Sequence, residues 1–282
     1  MRADSNRVRC VAHRGTPGGM IPENTAQSAL IAQRSGADVV EIDVSVTTDG
    51  GVYAFHDGLE RHLLGCSTNL TEQRSDQVDQ LRYAYGQLAG RPMRVQRLEQ
   101  VLLALRGTST EVHLDRAWRW WPQVLPVLAR LDMDDQLVIK TPASDACLAD
   151  LLRAQPTPRV AAICTDAAQV QAALEAAVPV HILELVQRSV DDTTADLVGH
   201  VHRAGRLTMV NAEVVGAPLW GGLDDERSVL EDPADGWGKL IGMGFDYVQT
   251  DFPWLFVQYR DSLEKGGSGG GSALHFASSH HG

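Results

Sequence analysis

Three short segments concentrate the side chains able to do chemistry: His13-Arg14, Glu41-Ile42-Asp43 and His56-Asp57. Each closes an apolar, β-rich run, so each is expected where a strand runs out. Paired carboxylates suit a hard divalent cation, a guanidinium suits an anionic oxygen, and two imidazoles can take and give protons. This inventory fits attack on a phosphodiester.

Glu41 and Asp43 stand at i and i+2, which on a strand points both carboxylates to one face. Unpaired carboxylates are expensive to bury, and Mg²⁺ or Ca²⁺ is the simplest compensation; salt bridges to arginine are the alternative. His13 and Arg14 lead into a Gly/Pro loop, where they serve either as site residues or as an ordinary polar strand end. In Pro22-Glu23-Asn24-Thr25, Asn24 or Thr25 can cap the helix that follows, and Asn24 can equally donate to a bound substrate. Thr47-Thr48-Asp49-Gly50 reads as a turn delivering the chain to His56.

The elements that position these residues alternate. Strands are expected at Val8–Ala12, Val39–Val44, Val52–His56, Glu111–Leu114, Gln136–Ile139, Val160–Cys164, Val180–Val186, Leu207–Val210 and Tyr247–Thr250. Helical stretches such as Ala26–Arg34, Leu98–Arg106, Gln123–Leu131, Ala146–Ala154 and Ala167–Ala176 separate most of them. Such alternation implies parallel βα units and an α/β barrel. A (β/α)8 barrel needs eight strands, so one of the nine is extra, and Val160–Cys164 and Val180–Val186 have the weakest patterns. Asp57–Pro92 reads as an irregular loop with one helix at most, and Trp220–Trp237 as a second long connection. One domain is expected over 1–265, followed over 266–282 by a Gly/Ser linker and a tag-like tail with His275, His280 and His281.

A net charge of −11 without a basic block disfavours nucleic acid and anionic membranes as primary partners, so Arg14 and a metal must supply positive charge locally. The four cysteines show no metal-ligand spacing, and Cys10 and Cys164 fall in apolar runs that suit core thiols. No apolar run is long enough to span a membrane, and residues 1–9 lack a signal peptide's apolar middle, so a cytoplasmic location without stable membrane insertion is expected.

Ala-His-Arg-Gly at 12–15, Pro-Glu-Asn-Thr at 22–25, Gly36-Ala37-Asp38 ahead of Glu41 and Asp43, Thr48-Asp49-Gly50 and Phe55-His56-Asp57 together resemble the glycerophosphodiester phosphodiesterase family in order and spacing. Gln249-Thr250-Asp251-Phe252-Pro253 resembles that family's last strand, and the likeness extends over about residues 8–263. The resemblance implies a single-domain (β/α)8 barrel that uses a divalent metal to cleave a small phosphodiester into glycerol 3-phosphate and an alcohol. It further implies His13 and His56 as the acid–base pair, with His56 the acid and His13 the base. Arg14 becomes the phosphate clamp, and Glu41 and Asp43 become metal ligands.

The family's third ligand and its lysine come from a Glu-x-Lys segment, which here reads Asp115-Arg116-Ala117. Asp115 is expected to replace the glutamate. Lys140, closing the next strand, is expected to replace the lysine, because a regular strand turns Arg116 away from Asp115. Asn211 is expected to contact a ligand's polar head, and Glu184 to reach the substrate or support the site. Trp220 and Trp254 are expected to offer an apolar wall, whereas His113, His200 and His202 carry no motif. Two alternatives accompany the main reading: a phospholipase D-like enzyme acting on lysophospholipids or sphingolipids, and a catalytically silent phosphodiester-binding barrel.

Overall fold

In the computed structural model, residues 7–266 are described apart from positions 191, 215 and 217. The expected tail, with His275, His280 and His281, lies outside the described residues.

Eight parallel strands close into a barrel: β1 (Arg9–Ala12), β2 (Val39–Val46), β3 (Glu111–Asp115), β4 (Leu137–Pro142), β5 (Arg159–Cys164), β6 (Ile182–Leu185), β7 (Leu207–Asn211) and β8 (Tyr247–Thr250). Each pairs with its neighbours in chain order, and β1 closes the ring against both β2 and β8. Cys10, Ile42, Leu114, Ile139, Cys164 and Val210 are buried in one cluster with the surrounding helices, which explains why these strands read as nearly continuous apolar runs.

Val160–Cys164 and Val180–Val186, despite their weak patterns, belong to the barrel as β5 and β6. The extra strand is the expected Val52–His56. Its strand part, Val52–Ala54, runs antiparallel to the end of β2, with Val44 opposite Ala54. The physical reason is the short turn at Asp49-Gly50, since a parallel strand needs a crossover of a dozen residues or more. The segment Asp57–Pro92 also departs from the expected loop. It contains a helix at Glu60–Leu64 and a hairpin of Arg82–Leu88 and Arg91–Arg94, which buries Tyr83 and Met93 in a small satellite core.

Inside the ring, alternate residues stack in layers. An apolar layer of Val11, Val39, Val138, Ala161, Ile182, Met209 and Tyr247 fills the middle. Two residues further along the same strands come His13, Glu41, Lys140, Glu184, Asn211 and Gln249, on the carboxyl-terminal side of the apolar layer, although β2 runs on past Glu41 to Val46 and β4 past Lys140 to Pro142 rather than ending there as expected for Glu41. The barrel thus carries a polar layer at the face where such folds place chemistry.

Candidate active site

β1 stops at Ala12, and the chain then turns through two left-handed residues, Arg14 at φ +52° and Gly15 at φ +78°. A side chain at Gly15 would meet Ser28 Oγ at 2.6 Å, so the turn requires glycine on both conformational and spatial grounds. It aims the Arg14 backbone N–H at Glu41 Oε2, 2.9 Å away. The guanidinium donates from Nη1 to Glu23 Oε1 at 2.9 Å, and its Nε lies 3.2 Å from Asp43 Oδ2.

The Pro-Glu-Asn-Thr segment divides its labour. Thr25 caps the helix Ala26–Arg34 by accepting from Ser28 N. Asn24, left-handed at φ +55°, faces the site. Its Nδ2 donates to Asp43 Oδ2 at 3.0 Å, and its Oδ1 accepts from Asp43 N at 2.9 Å.

Glu41, Asp43 and Asp115 converge, each presenting a carboxylate oxygen within 4.8 Å of the others. Asp115 Oδ1 accepts from Arg116 N at 2.6 Å, while Glu41 Oε1 is buried with no partner. Burial first, then repulsion from Asp43, pushes the Glu41 carboxyl up to about 8. A buried carboxylate with an open oxygen beside two others is the environment a divalent cation relieves, so these three residues fit such an ion.

Lys140 is fully buried, with Nζ 2.8 Å from Glu184 Oε2 and 3.4 Å from both Asp115 Oδ2 and Gln249 Oε1. Burial works against its charge, but Glu184, Asp115 and Glu41 outweigh it and raise its pKa. It therefore stands beside the expected third ligand. Asn211 donates to Glu184 Oε1 at 3.0 Å and keeps its own Oδ1 without a partner.

His13 is buried, with Nδ1 2.8 Å from Asp251 Oδ1. Burial opposes a charge on the ring, but Glu213, Asp251 and Glu41 outweigh it and raise the pKa to about 10. His56 arrives on the antiparallel return from β2, its Nδ1 2.9 Å from the Asp57 carbonyl oxygen.

Several residues escape a sequence reading or contradict it. Arg116 does not point away from the site: β3 ends at Asp115, and Arg116 turns left-handed at φ +62°. Its Nη1 comes within 3.2 Å of His56 Nε2, and its Nε donates to Asp57 Oδ1 at 2.8 Å. Glu213 and Asp251 follow the ends of β7 and β8, and only the inward alternation of Asn211 and Gln249 could have flagged them. Glu213 accepts from Gln249 Nε2 at 2.8 Å, has Oε2 without a partner, and is pushed up to about 8 by burial. Trp220 forms no substrate wall. It is fully buried, donates its indole N–H to the Leu185 carbonyl at 3.1 Å and packs edge-on against Phe245. Trp254 is exposed and packs against Phe252.

Comparison with known proteins places these features in context. The model of the glycerophosphoryl diester phosphodiesterase family matches residues 13–255. A glycerophosphodiester phosphodiesterase from Bacillus subtilis is 42% identical over 52 residues, a stretch covering 18% of this chain and 17% of that protein. Among solved structures, a glycerophosphoryl diester phosphodiesterase from Parabacteroides distasonis superimposes with a TM-score of 0.74 at 17% identity, covering 93% of this chain and 88% of that one. A phosphodiesterase from Oleispira antarctica, in complex with the product sn-glycerol-3-phosphate, gives a TM-score of 0.68 at 19% identity, covering 90% and 97%.

Proposed function

The chain belongs to the glycerophosphoryl diester phosphodiesterase family, and from that premise we propose that it hydrolyses a glycerophosphodiester to glycerol 3-phosphate and an alcohol. The observation that carries this reading is the convergence of Glu41, Asp43 and Asp115, with one Glu41 oxygen unpartnered, at the barrel end that also holds Arg14 and His13.

Mg²⁺ or Ca²⁺ held by Glu41, Asp43 and Asp115 would supply positive charge against the phosphate and acidify the attacking hydroxyl. Arg14 contributes a guanidinium that Glu23 and Asp43 hold in place, ready for a phosphoryl oxygen. Lys140 takes the role of the family lysine, its charge maintained by Glu184 and directed toward Asp115. Asn24 keeps Asp43 oriented through two hydrogen bonds, which leaves it a positioning residue rather than a substrate donor. Asn211 offers its open Oδ1 to a hydroxyl of the substrate. His13 and His56 exchange protons with the attacking and leaving oxygens, the attacking oxygen being that of water or of the glycerol 2-hydroxyl.

The test is release of glycerol 3-phosphate from glycerophosphocholine in the presence of Mg²⁺ or Ca²⁺. Turnover abolished by EDTA and by His13→Ala supports the reading. Absence of turnover with Mg²⁺, Ca²⁺ and Mn²⁺ alike would sink it.

A further inference from the structure

The hairpin of Arg82–Leu88 and Arg91–Arg94 turns one face to the satellite core, through Tyr83 and Met93, and leaves the other to solvent. That outer face is unlike the rest of this acidic chain. Residues 80–98 hold four arginines and no Asp or Glu, although the whole chain carries −11. Arg97 is paired with Asp79, whereas Arg82, Arg91 and Arg94 are exposed and form no ion pair among the described residues. Arg82 stands directly opposite Arg94 in the ladder, and like charges so placed weaken a hairpin. Arg94 Nη1 donates to a carbonyl oxygen, that of Asp79, at 3.0 Å, so neither charge is neutralised. Apolar side chains are mixed with these charges. Tyr85 is 38% exposed and Leu88 48%, and Leu88 lies opposite Arg91. Met20, 45% exposed, is tied to the hairpin by the bond from Gln87 N to its carbonyl oxygen at 3.1 Å. The hairpin rests on the segment that carries Glu23 and Asn24. A Cβ at Gly86 would come within 2.5 Å of Pro22, and Tyr83 donates its hydroxyl to the Glu23 carbonyl oxygen at 3.3 Å. The exposed face therefore adjoins the barrel mouth.

We propose that this hairpin, with Met20, docks the protein on an anionic lipid surface. Arg82, Arg91 and Arg94 lie against the phosphate-bearing headgroups, and Tyr85, Leu88 and Met20 reach the first acyl carbons. Unneutralised arginines beside exposed apolar side chains are the composition that binds at the interface of an anionic bilayer. A protein partner suits the face less well, because a stable protein interface takes about 20–30 residues a side. Here the exposed residues are Met20 and ten of residues 82–94. The net negative charge of the chain does not prevent docking, since salt limits the reach of each charge to about 8–10 Å and the nearby arginines outweigh distant carboxylates. Attachment is peripheral and reversible, and no helix among the described residues is long and apolar enough to cross a membrane. Docking of this kind is independent of the reaction at the mouth, so a protein without hydrolase activity would still show it.

Flotation of the full chain with lipid vesicles tests this. Binding is expected on vesicles of phosphatidylcholine mixed equally with phosphatidylglycerol, absent on phosphatidylcholine alone, and weakened by added salt. Arg82→Gln, Arg91→Gln and Arg94→Gln combined should lower binding about 10²-fold, at roughly fivefold per arginine. Leu88→Ser should lower it several-fold and leave its salt dependence intact. Arg106→Gln, Arg130→Gln and Arg153→Gln combined remove the same charge from the C-terminal ends of three outer helices and should retain binding. Melting temperatures establish that each variant is folded, and the lipid and salt dependence of the native chain needs no variant at all. No binding of the native chain to the anionic vesicles, equal binding to both lipids, or equal losses for the two triple variants overturns the proposal. Self-association that Leu88→Ser abolishes would make a second copy the occupant and overturn it as well.

Discussion

One barrel holds two polar layers, separated by the apolar ring of Val11, Val39, Val138 and their neighbours, and the two are built differently. At the base, where the strands begin, Glu111 has both oxygens engaged. Oε1 accepts from His113 Nε2 at 2.7 Å, and Oε2 accepts from Arg159 at 2.6 Å and Arg9 at 3.2 Å. Arg9 also donates to the Tyr247 hydroxyl at 2.9 Å. At the mouth, Glu41, Asn211 and Glu213 each keep a buried oxygen without a partner. His113 Nδ1 is also open at the base, but a neutral ring nitrogen costs less to leave open than a carboxylate oxygen. Burial pushes the His113 pKa down, so charge balance there rests on the two arginines. The base is a closed network that stabilises the fold, whereas the mouth is an open one that stores its unmet interactions for a ligand.

The largest expected effect tests the open layer. Glu41→Gln should lower turnover about 10³-fold. The same change removes a carboxyl that burial and Asp43 push up to about 8, so the melting temperature without added cation should stay level or rise. A clear fall in cation-free stability would show that the mouth is as closed as the base.

The mirror experiment is Glu111→Gln, which leaves two half-buried arginines short of their anion and should destabilise by about 1.5–3 kcal/mol. The native protein carries a pH signature of the same network. Burial works to raise the Glu111 pKa, but the bond from His113 and the charges of His113 and Arg159 bring it down to about 2. Since this folded-state value lies below the ordinary carboxylate value, the contribution is complete above about pH 4.5 and is lost as pH falls through about 2. Its size is on the order of 3 kcal/mol. Acid titrations monitored by circular dichroism should therefore show a loss in that window that Glu111→Gln lacks.

The same contrast explains what the sequence could and could not reveal. The barrel was legible because strands buried on both faces read as apolar runs; the signal was weakest in β5 and β6, β6 being four residues long with Glu184 among them. Val52–His56 carries the same composition, so it was counted with the others; strand direction lies in the turn, and Asp49-Gly50 already marked it as tight. Glu41, Asp43 and His13 were legible as polar residues interrupting apolar alternation. Arg116 was not, because inferring its direction assumed a regular strand, and the left-handed φ that swings it onto His56 has no local sequence mark. Trp220 misled for the converse reason. A tryptophan in a Gly-rich loop reads as exposed, yet its indole N–H satisfies a strand carbonyl and lets the whole ring be buried.

A smaller effect comes from adding the ion itself. If the mouth is open for a divalent cation, Ca²⁺ or Mg²⁺ at about a hundred times its dissociation constant should stabilise the fold by about 2.7 kcal/mol. Thermal denaturation with and without EDTA measures this, and Glu41→Gln should abolish the difference while Glu111→Gln should retain it.

The smallest effect asks whether the layers are independent along a single strand. Tyr247 and Gln249 lie two residues apart on β8, Tyr247 bonded to Arg9 in the closed network and Gln249 to Lys140 and Glu213 in the open one. Tyr247→Phe removes one hydroxyl acceptor and keeps the ring in the apolar layer, so it should cost about 0.5–1.5 kcal/mol. Because side chains pack tightly between the layers, a displaced β8 would carry Gln249 with it and loosen Lys140. The expected result is a small drop in melting temperature with turnover and cation response unchanged. A Tyr247→Phe protein that loses turnover or cation response in proportion to stability would mean that the closed layer also sets the geometry of the open one, and the division of the barrel into a stabilising end and a binding end would fail.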